Sequence, residues 1–158
     1  MSAPPELFDQ AFALHQQGRF EEALEGYQQL LRHDPTDFDA LHLSGVIALQ
    51  QGRLADAADL VGRAVERHPG NATAQSNLGI VRQQLHDLEQ ALLCFERAIR
   101  LRPNYAAAHF NRGNVFASLR RPQEAVSCYD AAIALDPAMV DAHNNRGLAL
   151  KDLGRLDE

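Results

Sequence analysis

Residues 77–103 read NLGIVRQQLHDLEQALLCFERAIRLRP, and this stretch decides the fold. Its glycine, its first alanine and its closing proline recur at intervals of 34 residues along the chain, and its phenylalanine marks a phase held by aromatic or branched residues. Pro35, Pro69, Pro103 and Pro137 keep that interval, and so do Ala23, Ala57, Ala91 and Ala125. Gly45, Gly79, Gly113 and Gly147 keep it too, with Ala11 in that phase of the first unit. Tyr27, Val61, Phe95 and Tyr129 fill a further phase, and Leu30, Ala64, Ala98 and Ala132 another. A period of 20 to 50 residues marks stacked supersecondary units, so the repeat sets the architecture before any local motif does.

Each unit is expected to give two helices, over about residues 4–17 and 21–32 in the first. Breaks fall at QGR (17–19), QGR (51–53), LHD (85–87) and LRR (119–121), and each second helix stops before its proline. Glycine in a helix interior costs about 1 kcal/mol relative to alanine. Its recurrence at the Gly45 phase therefore implies a close interhelical approach, with the Ala23 series expected as the facing small residue.

These phases resemble the tetratricopeptide repeat, whose pattern runs Leu-Gly, Ala, aromatic, Ala, Pro. The resemblance covers nearly the whole chain. It implies an all-α, right-handed superhelical solenoid of antiparallel helix hairpins with about nine helices. The units parse as 4–37, 38–71, 72–105 and 106–139, with 140–158 as the first helix of an incomplete fifth. The family's bulky early aromatic is absent, since Leu7, Leu41, Gln75, His109 and His143 hold that phase, which implies a looser first contact in each unit. Because the last unit stops at KDLGRLDE, the sequence reads as a fragment of a longer protein or as one whose open end packs on another copy.

Composition narrows the function. The chain has 158 residues, 46% of them hydrophobic, and a net charge of −6, enough apolar material for a core. With the signs interspersed, no basic face for nucleic acid is expected. No run approaches the roughly 18 apolar residues of a membrane span, and MSAPPELFDQ has no secretory-signal character, so the expected compartment is the cytoplasm. Cys94 and Cys128 are expected as free, buried thiols.

Asn77, Asn111 and Asn145 recur two residues ahead of a glycine, although asparagine is a poor helix former. In tetratricopeptide arrays the first helices line the concave face, where these three would form a column. With neighbouring helices about 9–10 Å apart, successive asparagines match about three residues of extended chain at roughly 3.3 Å each. Each side-chain amide offers a donor and an acceptor, which suits a sequence-tolerant grip on peptide backbone. The ladder resembles the tetratricopeptide arm of O-GlcNAc transferases and their bacterial relatives, where equivalent asparagines hold substrate backbone. Asp9 and Leu43 interrupt it in the first two units. Asparagines that only satisfy a neighbouring helix are the competing reading. Neighbouring phases of the same face add Phe110, Asn144, Ile80, Asn114 and His42 to the candidate peptide-binding residues. A carboxylate clamp is not expected, because Lys151 is the sole lysine.

No phosphate loop, nucleophile elbow or catalytic carboxylate pair stands out, so no catalytic residue, cofactor or metal is assigned. His109 and His143, one repeat apart, are too far from each other to share a zinc ion. Three functions follow: a non-catalytic scaffold binding an extended protein or peptide segment, the substrate-recruiting arm of a larger O-GlcNAc transferase-like glycosyltransferase, and a scaffold that self-associates through its C-terminal helix.

Overall fold

A computed structural model describes residues 5–154, which form nine α-helices and no strand among the described residues. The expected helix start at residue 4 and the segment 155–158 lie outside the described residues. The chain divides into two compact units at Gly70. The first holds α1 (Pro5–Gln16), α2 (Phe20–His33), α3 (Phe38–Gln50) and α4 (Leu54–Arg67). The second holds α5 (Ala72–Gln84), α6 (Leu88–Leu101), α7 (Ala106–Ser118), α8 (Pro122–Leu135) and α9 (Val140–Asp152).

The helix ends follow from local chemistry. Each first helix closes with one residue in the left-handed region: Gly18 (φ 75°), Gly52 (72°), His86 (60°), Arg120 (57°) and Gly154 (71°). At the first four of these turns the following amide reaches back to the last turn of the helix, as Arg53 N does to Ala48 O at 2.8 Å and Asp87 N to Arg82 O at 2.9 Å. That pattern satisfies carbonyls left open at a helix end. The second helices end where a proline forces the preceding residue into extended backbone: Asp34, Arg102 and Asp136 all sit near φ −134° to −139°.

The starts of the first helices divide into two kinds. Asp37 Oδ1 accepts from Ala40 N at 2.8 Å, and Asn71 Oδ1 accepts from Ala74 N at 2.9 Å, as side-chain caps do. Tyr105 and Met139 hold the cap positions of α7 and α9 and make no such bond. There His109 Nε2 lies 3.0 Å from the Pro103 carbonyl and His143 Nε2 3.0 Å from that of Pro137. Both histidines thereby tie a helix to the turn that precedes it.

The recurring glycines are interhelical contacts, but their facing residue differs from the expected one. A Cβ built on Gly45 would lie 2.5 Å from Val61 Cγ2, on Gly79 2.7 Å from Phe95 Cε1, and on Gly113 2.6 Å from Tyr129 Cε1. The facing series is thus Val61, Phe95 and Tyr129 rather than the Ala23 series, because a bulky side chain fills the space that the missing Cβ opens. In the first hairpin the relation is reversed, and Gly26 gives way to Ala11 at 2.7 Å. The looser first contact is also corrected at two positions, since Leu41 and Gln75 are only 1% and 2% exposed.

Ala11, Ala23, Tyr27, Leu30, Ala40 and Ile47 make the core of the first unit. In the second unit Phe95 packs with Ala91 and Val115, while Tyr129 packs with Ala125, Val126, Ala149 and Leu150. Cys94 and Cys128 are free and buried among these helices, and burial pushes both thiols up from their usual pKa.

Candidate functional site

Within the second unit α7 contacts both α5 and α9, so these three first helices share one face. Two open pockets lie along it. One, of about 600 Å³, is lined by Ile80, Gln83, His86, Leu88, Asn111 and Ser118 among others. The other, of about 730 Å³, is lined by Gln83, Asn114, Ser118, Arg120, Tyr129, Asn145 and Leu148, with Pro122, Ala117, Ala149 and Asp152 completing the wall. Gln83 and Ser118 belong to both, so the pockets adjoin and form one groove.

The candidate residues separate on this surface. Asn111 lines the first pocket beside Ile80, and Asn114 and Asn145 line the second. Asn77 is half-buried on α5 and Asn144 is exposed on α9. Phe110 is half-buried with its ring 5.9 Å from that of Tyr129, and it packs in the Tyr129 cluster rather than lining either pocket. His42 belongs to the first unit, where it is 9% exposed and stacked 5.5 Å from Phe38. Burial lowers its pKa, opposed by the charge of Asp39.

The polar geometry departs from a simple column. Asn145 Nδ2 donates to Asn114 Oδ1 at 2.9 Å, and the Tyr129 hydroxyl donates to the same oxygen at 2.9 Å. Asn145 is therefore joined to the asparagine 31 residues earlier, one helical turn away from the 34-residue phase. Tyr129 is 1% exposed, and its pKa is pushed up to about 12, mainly by burial. The phenol thus keeps its proton and remains a donor near neutral pH. Tyr129 was legible only as a packing aromatic, and Gln83, Ser118 and Arg120 carried no sequence signal beyond being polar residues near the ends of α5 and α7.

Chemically the groove offers amides, the hydroxyls of Ser118 and Tyr129 and short apolar surfaces, with Arg120 and Asp152 as its charged members. No group of three metal-ligating side chains occurs among the described residues. In the first unit a depression of about 570 Å³ is lined by Glu21, Glu25, Gln28, Gln51, Arg53 and Leu24. Its lining is acidic and drawn from α2 and the turn after α3.

A solenoid of helix hairpins with such a groove defines a repeat protein of the tetratricopeptide class. Tetratricopeptide-repeat family models match residues 8–72, 84–119 and 106–139, and the chain belongs to that family. Among solved structures, a crystal structure of MamA is 26% identical with a TM-score of 0.86, covering 93% of this chain and 86% of that one. The crystal structure of YrrB, described as a TPR protein with an unusual peptide-binding site, is 25% identical with a TM-score of 0.83, covering 98% and 79%. MamA from Desulfovibrio magneticus RS-1, 19% identical over 96% of this chain and 85% of that one, shares the fold with a TM-score of 0.87. No curated protein matches the chain. The resemblance to the O-GlcNAc transferase arm draws no support from these matches. No helix of the described residues is long and apolar enough to cross a membrane.

Proposed function

We propose that this chain is a non-catalytic protein-interaction scaffold that holds an extended polypeptide segment along the α5, α7 and α9 face of its second unit. The observation that carries this reading is the pair of adjoining pockets lined by Asn111, Asn114, Asn145, Gln83 and Ser118. Amides pair with backbone groups whatever the peptide's side chains are, so affinity is sequence-tolerant, and Ile80 and Leu148 add apolar contact. The likeness to YrrB supports a peptide as the ligand class. Selection from a displayed library of unstructured peptides tests the proposal, run beside a folded Asn77, Asn111 and Asn145 to Ala triple variant. Unrelated peptides should bind the natural chain and lose most of their affinity for the triple variant; equal binding to both would overturn the asparagine role.

A second reading, self-association through α9, is favoured by Val140 and Leu148, which are 67% and 62% exposed. Gly147, unlike Gly45, Gly79 and Gly113, has no atom within 4 Å of its would-be Cβ. Sedimentation over a hundredfold concentration range separates the two readings, because a peptide binder stays the same size and a self-assembling scaffold grows.

A further inference from the structure

The bond pattern at Asn114 has a direction. Its side-chain carbonyl accepts from Tyr129 and from Asn145 at 2.9 Å each, which uses both lone pairs of an amide oxygen. Turning the Asn114 amide over would set its NH₂ against the Asn145 NH₂, so Asn114 turns only if Asn145 and the phenol proton turn with it. A turned-over amide would donate to the phenol oxygen, but the phenol's own O–H, on a residue 1% exposed, would then lose Asn114 Oδ1 as its acceptor, which disfavours the reversed arrangement. Two groups are then left over on the pocket wall. Asn114 Nδ2 and Asn145 Oδ1 take no part in these two bonds. One is a donor and the other an acceptor, on side chains already bonded to each other.

An extended peptide residue presents its own N–H and C=O to the same edge, which is why hydrogen-bonded residues of paired strands exchange both bonds. One repeat earlier this device is missing. Ile80 stands in the phase of Asn114 and Phe95 in that of Tyr129, so Asn111 has neither the amide nor the phenol to orient it.

We propose that Tyr129 is a positioning residue that locks Asn114 and Asn145 into one donor–acceptor orientation, so that the pocket grips the backbone of an extended peptide at a single residue. The peptide carbonyl accepts from Asn114 Nδ2, and the same residue's N–H donates to Asn145 Oδ1. This rests on the peptide-binding reading above and deepens it, since it assigns register to an otherwise sequence-tolerant groove.

The test uses a peptide selected from the displayed library and a series of its copies in which each backbone N–H is replaced in turn by an ester oxygen. One ester position should weaken binding to the natural chain about 5- to 10-fold, the effect of one hydrogen bond. In Tyr129→Phe the same ester should cost less than about 2-fold, and Asn114→Leu, which leaves the buried ring in place, should behave likewise. In the free proteins, nitrogen relaxation of the Asn114 and Asn145 side-chain amides should report rigid groups in the natural chain and mobile ones in Tyr129→Phe. An ester penalty that is unchanged in both variants, or amides equally rigid in Tyr129→Phe, overturns the positioning role while peptide binding stands. A library that yields no binder overturns the peptide reading and this proposal with it.

Discussion

Tyr27 in the first unit and Tyr129 in the second hold the same repeat phase, are 0% and 1% exposed, and both have their pKa pushed up to about 12, chiefly by burial. Their hydroxyls nonetheless meet different chemistry. That of Tyr27 lies 3.4 Å from His15 Nδ1, in a cluster with Phe8 and His15 rings at 6.4 and 6.2 Å. That of Tyr129 is 2.9 Å from an amide oxygen that also serves Asn145 on the groove wall. A repeat fold thus fixes where an aromatic ring packs and leaves its polar tip to whatever residues the neighbouring helices supply. Function in such an array is written in that second choice.

The comparison can be broken most severely at the rings themselves. Truncation of either tyrosine to Ala should destabilise its unit by about 3–5 kcal/mol, the usual cost of emptying a buried aromatic site. Urea midpoints should fall comparably for both, because the packing role is shared. If only Tyr129→Ala is costly, the two sites are not equivalent in packing.

A smaller effect comes from the glycines. Gly113→Ala sets a Cβ 2.6 Å from the Tyr129 ring, and overpacking of this kind costs about 1–3 kcal/mol, against about 1 kcal/mol of helix propensity regained. Gly147→Ala meets no atom within 4 Å, so only the propensity gain remains, and thermal unfolding should shift upward. The same substitution one repeat apart is therefore predicted to change sign or nearly so. Stabilisation by both would show that the Tyr129 contact yields easily.

The mildest probe is alkaline pH. Each phenol has a folded-state pKa raised from 10 to about 12, so the folded state holds a proton that the unfolded state loses. The stability this provides is fully present below pH 10 and declines as pH rises between 10 and 12. Denaturation midpoints across that range should fall, and Tyr27→Phe and Tyr129→Phe should each remove part of the slope. A slope unaffected by either variant would place the titration elsewhere.

Much of the architecture is legible in the sequence because its punctuation is chemical. Proline stops the second helices at Pro35, Pro69, Pro103 and Pro137, and the Gly18 and Gly52 turns need a left-handed residue. His86 and Arg120 adopt that conformation without glycine, which a residue-type reading finds only through its repeat phase. The site is less legible. A 34-residue phase compares equivalent positions, whereas Asn145 touches Asn114, three residues out of that phase, because neighbouring helices bring different positions of the repeat into contact. The same blindness assigned the glycine contact to the Ala23 series and treated Tyr129 as packing alone.

The most direct test of the account is to map a library-selected peptide onto the protein by amide chemical-shift perturbation. The largest shifts should fall on α5, α7 and α9 at Ile80, Gln83, Asn111, Asn114, Asn145 and Leu148, with α6 beyond Leu88 unaffected. Shifts concentrated on the acidic depression of the first unit, around Glu21, Glu25 and Gln28, would contradict it.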